Sequence, residues 1–272
     1  MIPATVRTEV LRRLHAAEQA EGVRILFAVE SGSRAWGFAS ADSDYDVRFV
    51  YVRPQSWYLS IDIDERRDVI EHPIVDAIDC NGWDVRKALR LLRKSNPAIV
   101  EWLQSPIEYL AREPFRAEAL RLLPQTYSLA AGWHHYRQMA ATNYRGYLRG
   151  ETVRLKKYFY VLRPLLAARW IERHAAPPPI EFDRLLALLP EYPALRRAID
   201  ALLARKRAGA EVDVGTAIPQ LTAFIEAELA RSAVRFGRAA PPSPDRLRAL
   251  NDLFATALRD APSDTDAPPR AD

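Results

Sequence analysis

Val29-Glu30-Ser31-Gly32-Ser33-Arg34-Ala35-Trp36-Gly37, followed after a short polar stretch by Asp42-Ser43-Asp44-Tyr45-Asp46-Val47, is the part of the chain from which its fold is read. Upstream, Val23 to Glu30 is β-rich and mostly apolar, the pattern of a buried strand. Downstream, Tyr45 to Val52 predicts a second strand, stopped by Pro54. Residues two apart on a strand share a face, so Asp44 and Asp46 present two carboxylates side by side while Tyr45 and Val47 pack on the other face. Such carboxylates repel, and a cation between them relieves the repulsion; hard oxygen ligands favour Mg²⁺ or Mn²⁺. The Gly32-Ser33 turn lets backbone N–H groups and a hydroxyl approach phosphate oxygens, because glycine permits close contact.

Working outward, Pro3 to Ala20 reads as an amphipathic helix ended by Gly22. Short strands are expected at Asp68 to Glu71 and Ile74 to Cys80, joined near His72-Pro73. Asp84 is placed to cap a helix over Val85 to Lys94, and Asn96-Pro97 to open one over Ala98 to Gln104. Beyond Ser105-Pro106 the pattern is helical at about 114–123, 125–149, 151–174, 183–189, 194–208, 217–236 and 244–259. This divides the chain into an α/β part over 1–105, an all-helical part over 106–260, and a tail over 261–272 with too little apolar content to fold.

The 272 residues are 49% apolar and 27% charged, enough for a sizeable core, with no membrane-spanning run and no signal-peptide layout. The one cysteine, Cys80, excludes an internal disulfide framework and a cysteine-rich zinc site, and fits a reducing cytoplasm with the thiol buried and inert. Net charge is only +4, but Trp133 to His174 holds nine basic residues against two acidic ones, a net of +7.

Adjacent metal and phosphate sites are what two-metal nucleotidyl transfer requires, together with a third carboxylate. Asp79 is preferred for that role because apolar Ile78 and Cys80 flank it as Tyr45 and Val47 flank Asp46; Asp76 comes second and Glu71 third. In Lys156-Lys157-Tyr158-Phe159-Tyr160-Val161-Leu162-Arg163-Pro164, helical spacing puts Lys156, Tyr160 and Arg163 on one face. Facing the cleft, their cations would bind phosphate and the Tyr160 ring would stack on a base. The alternative is an amphipathic helix with a solvated basic side. Arg34 either reaches a phosphate or pairs with Asp42 or Asp44. Trp36, Trp83 and Trp102 read as core anchors, and His134 and His135, about 100° apart on a helix, as packing or capping residues.

Gly32-Ser33 followed by Asp44-x-Asp46 on a strand resembles the signature of the DNA polymerase beta-like nucleotidyltransferase superfamily. The strings Gly32 to Gly37, Gly82 to Leu89, Lys94 to Pro97, Glu101 to Pro106 and Lys156 to Pro164 further resemble a bacterial and phage family of nucleotidyltransferases sometimes associated with RNA repair. The resemblance implies an α+β fold, a small mixed β-sheet with helices on one side, followed here by the helical part. It also implies metal-dependent transfer to a hydroxyl. Members adenylylate RNA ends, small drugs and proteins, and some are antitoxins.

The expected function is therefore Mg²⁺- or Mn²⁺-dependent transfer of a nucleoside monophosphate from an NTP, ATP first, to an acceptor hydroxyl. In it Asp44, Asp46 and Asp79 hold metal, Gly32, Ser33, Arg34, Lys156, Lys157 and Arg163 hold phosphate, and Tyr160 holds the base. RNA is the preferred acceptor, on the arginine-rich segment and the RNA-repair resemblance. A protein-modifying or antitoxin-like enzyme, and a non-catalytic nucleic-acid-binding member of the fold, are the alternatives.

Overall fold

The computed structural model describes residues 2–112, 114–208, 214–231, 236 and 243–263. The chain runs α1 (Ala4–Glu21), β1 (Arg24–Glu30), α2 (Gly32–Ala35), β2 (Tyr45–Val52), α3 (Gln55–Tyr58), β3 (Val69–Glu71), β4 (Ile78–Asp84), α4 (Val85–Arg93), α5 (Pro97–Gln104) and β5 (Glu108–Ala111). There follow α6 (Phe115–Thr126), α7 (Leu129–Tyr147), β6 (Thr152–Val153), α8 (Lys157–His174), α9 (Phe182–Leu186), α10 (Pro193–Arg207), β7 (Gly215–Thr216), α11 (Pro219–Ala230) and α12 (Pro244–Arg259).

The punctuation acts as its chemistry dictates. Gly22 takes the left-handed conformation that ends α1. Asp84 accepts the Arg86 N–H at the start of α4, and Asn96 accepts the Ala98 N–H with Pro97 in the first turn of α5. β1 is buried on both faces, which explains its unbroken apolar sequence.

Five strands form one mixed sheet in the order β3-β4-β2-β1-β5, with β2 and β4 parallel and the other pairs antiparallel. Alternation sorts β2 into two sets. Val47, Phe49 and Tyr51 join Val10 and Leu14 of α1 in a small core, whereas Val50 and Val52 face the main core shared with the later helices. The fold is thus α+β, with the mass of helices on one side of the sheet and α1 on the other. The later helices, with the two-stranded antiparallel β6–β7 ladder among them, make up a C-terminal helical part that contributes most of its buried apolar residues to that same main core.

Two expectations shift. The strand expected at Ile74 to Cys80 begins only at Ile78, because Asp76 and Ala77 both adopt positive φ in a tight turn closed between Val75 and Ile78. The strand then runs on to Asp84; Gly82 is needed there because a Cβ would sit 2.1 Å from the Phe49 ring. Second, β5 pairs with β1, so the sheet extends past residue 105, where the first part was expected to end. Residues 264–272 of the expected tail lie outside the described residues.

Candidate active site

At the end of β1, Glu30 is wholly buried. Its carboxylate accepts the Asp46 N–H at 3.0 Å and the Tyr109 hydroxyl at 2.5 Å, and burial pushes its pKa up to about 7. The chain then turns through Gly32, at φ +59°, into α2. No other residue fits: a Cβ on Gly32 would lie 1.9 Å from Asp46 Oδ2. The Ser31 N–H donates to the Asp46 carbonyl at 2.8 Å, and Ser33 is buried in the short helix. The turn that would meet phosphate is therefore pressed against the strand that carries the carboxylates.

In the parallel ladder Asp46 stands opposite Asp79. Arg48, two residues beyond Asp46 on the same face, bridges them: its Nη2 lies 3.1 Å from Asp46 Oδ1 and 2.6 Å from Asp79 Oδ2, while Nη1 donates to the Val47 and Asp79 carbonyls at 3.0 and 2.8 Å. Asn81 donates to the other Asp79 oxygen. Asp44 sits exposed just ahead of β2. Asp76 is instead in the turn before β4, paired with Arg13, and Glu71 on the edge strand pairs with Arg67.

Among the described residues no three acidic, histidine or cysteine side chains are already gathered around a cation position, since Arg48 lies between Asp46 and Asp79. The donor set nonetheless fits a hard divalent ion: it is all oxygen, drawn from adjoining strand starts. Burial also raises the Asp46 pKa despite Arg48, with Asp79 and Asp44 adding to the rise.

The helices supply cations and rings. Tyr160 on α8 is 36% exposed, its ring edge-on to Trp36 at 5.5 Å. Burial raises its pKa, and Asp46, Lys156 and Asp44 all act on it, so it stands at the mouth of the carboxylate corner. Lys156 is exposed at the start of α8, and Lys157 lies between the Tyr147 and Tyr160 rings, 4.4 and 4.5 Å from their centroids.

One expected phosphate ligand is placed elsewhere, and another is engaged with the loop at the site. Arg163 is 2% exposed: its Nη1 lies 2.7 Å from Glu101 Oε1, its Nε and Nη2 donate to the Ile180 carbonyl, and its guanidinium sits 4.6 Å from the Trp36 ring. It lies beneath Trp36 and Tyr160 rather than in the cleft. Glu101 also accepts from Trp36 Nε1 at 3.1 Å and the Tyr136 hydroxyl at 3.2 Å. Arg34 donates from Nε to the Asp44 carbonyl at 3.1 Å and from Nη2 to the Ser43 carbonyl, and stacks 4.0 Å from the Tyr45 ring; it braces the loop bearing Asp44. His134 rests against Trp133 on α7, burial lowers the His135 pKa, and burial pushes the Cys80 thiol up to about 11.

Three residues at the site escaped the sequence reading. Arg48 was within reach of it, because the alternation that pairs Asp44 with Asp46 carries on to position 48. Glu30 had only the signal of an acid ending an apolar strand. Lys206, at the C-terminal end of α10, had none: it donates to Ser40 Oγ at 3.4 Å, and burial, together with Lys156 and Arg34, lowers its pKa against the opposing pull of Asp42. Lys156, Lys206 and Arg34 thus converge on the Gly37–Ser43 loop beside the turn.

The family model described as "RlaP: RNA repair pathway DNA polymerase beta family" matches residues 6–256. The chain is also 43% identical over 255 residues to "Uncharacterized protein YcgL" of Bacillus subtilis (strain 168), covering 94% of this chain and 97% of that protein. No helix among the described residues is long and apolar enough to cross a membrane.

Proposed function

The chain belongs to the RNA repair pathway DNA polymerase beta family, and from that premise we propose that it transfers a nucleoside monophosphate from an NTP, ATP first, to a hydroxyl of RNA. The observation that carries the reading is the parallel register of Asp46 and Asp79, with the Gly32 backbone packed against Asp46. Asp44, Asp46 and Asp79 would hold Mg²⁺ or Mn²⁺, which when bound supplies neutralisation of the triphosphate and activation of the attacking hydroxyl. Binding there requires Arg48 to yield its hold on Asp46 or Asp79.

Ser33 and the backbone of the Gly32 turn face the outer phosphates, Lys156 and Lys206 balance their charge, and Tyr160 stacks on the base. The acceptor oxygen attacks the α-phosphorus as the bond to the β-phosphate oxygen breaks, so pyrophosphate leaves. The acceptor proton passes to the Asp79 carboxylate.

The test is incubation with Mg²⁺ and each α-³²P-labelled NTP, offered total RNA, a tRNA pool and a soluble protein extract in parallel. Label is expected in RNA and is expected to vanish in the Asp44→Asn, Asp46→Asn double variant. Full label with that variant would refute the assignment of the carboxylates, and label in a protein band would replace the RNA acceptor with a protein one.

A further inference from the structure

Three of the nine basic residues between Trp133 and His174, Arg137, Arg163 and Arg169, are tied up within the molecule, whereas Arg149, Arg154 and Lys157 lie around the turn between α7 and α8. Arg137 donates to the carbonyls of Glu228, Leu229 and Arg231, Arg163 is paired with Glu101, and Arg169 with Glu228. Around the turn, Arg149 and Arg154 are exposed, Lys157 is half-buried, and none of the three has an ion pair among the described residues. Burial lowers the Lys157 pKa, and the neighbouring charges of Lys156 and Arg154 lower it further.

Two tyrosines interleave with these cations. Tyr147 is 39% exposed, with Lys157 at 4.4 Å and Arg154 at 5.7 Å from its centroid; Tyr160 follows on the other side of Lys157, toward Asp46. Exposed rings alternating with unneutralised cations, continuous with the carboxylate corner, are the chemistry of a single-strand platform: rings stack on bases and cations follow the phosphates. A paired helix would offer Tyr147 no free base face.

Resting on the nucleotidyl-transfer reading, we propose that the acceptor RNA reaches the carboxylates as an unpaired strand end laid across Tyr147, Lys157 and Arg154. Tyr160 keeps the incoming nucleotide, and Tyr147 takes a base of the acceptor. Arg149 continues the cationic path outward.

The test is fluorescence anisotropy of the full chain with a labelled, unstructured RNA of about twelve nucleotides, with a blunt duplex of the same sequence, and with a fluorescent ATP analogue, over a salt series. Tyr147→Ala is expected to weaken single-strand binding about tenfold, with Tyr147→Phe like wild type, because the ring and not the hydroxyl is used. Arg154→Ala should flatten the salt dependence by the equivalent of about one phosphate contact. Neither variant should alter affinity for the ATP analogue. Wild-type affinity in Tyr147→Ala, equal binding of duplex and single strand, or a parallel loss of ATP-analogue binding would each overturn the proposal. Tyr147-dependent RNA binding with no labelled product from any NTP would leave the surface standing and sink the transfer reading. RNA labelled by wild type and bound equally well by Tyr147→Ala would do the reverse.

Discussion

The carboxylate corner of the sheet and the basic helical segment from Trp133 to His174 use charge in opposite ways. In the sheet, alternation sets Asp44 and Asp46 within one short stretch, and the parallel register of β2 and β4 dictates that Asp46 and Asp79 meet. In the helices, charges that are neighbours in sequence point to different fates: Arg163 into a buried pair with Glu101, Arg169 to Glu228, Lys157 to the surface between two rings. A strand has only two faces, whereas a helix in a bundle has a full turn of directions. A cluster of charge along a helical sequence is therefore not yet a charged surface.

Four changes would sharpen or break that contrast. Asp46→Asn should have the largest effect on chemistry, lowering transfer by about a thousandfold or more, measured as labelled product, while circular dichroism stays native. Arg163→Ala should act on stability instead, by about 3–5 kcal/mol in denaturant unfolding, because it strands the buried Glu101 carboxylate. Lys206→Ala, by contrast, should leave unfolding within about 0.5 kcal/mol of wild type yet weaken NTP binding about tenfold, and an unchanged affinity would remove it from the phosphate site.

Asp84 makes the most pH-specific case. Burial raises its pKa from the usual 3.8 to about 6, so the folded state favours the protonated acid. Stability from this group is present in full below the unfolded value and is lost as pH rises from about 4 to about 6. Asp84→Asn, which keeps an oxygen for the Arg86 N–H, should flatten that part of the stability profile, measured by thermal unfolding across the range.

The sheet and the turn were largely legible because their signals are local: a buried apolar strand, a glycine before a helix, alternating aspartates, two capped helices. Asp79 was separable from Asp76 in preference only, and what sets their positions apart, two successive residues at positive φ before β4, leaves little trace in the identities Asp76-Ala77. β5 was missed because four residues at a sheet edge carry too little periodicity to register. Arg163 was misplaced for a reason of depth: its helix face was read correctly as shared with Tyr160, but one turn further along α8 that face passes beneath Trp36. Lys206 lies some 160 residues from the Ser40 loop it meets, a distance that only tertiary packing closes.

The Trp36 junction has a mechanical consequence. Its indole nitrogen is held by Glu101, its carbonyl accepts the Phe182 N–H at 2.9 Å, and Arg163 lies against its ring, so the segment after α2 is fastened at once to α5, α8 and the start of α9. There is no hinge at this point. Nucleotide would meet its flanking elements already in place, with the release of Arg48 as the local change that binding requires, which predicts little change in overall dimensions on saturation with NTP.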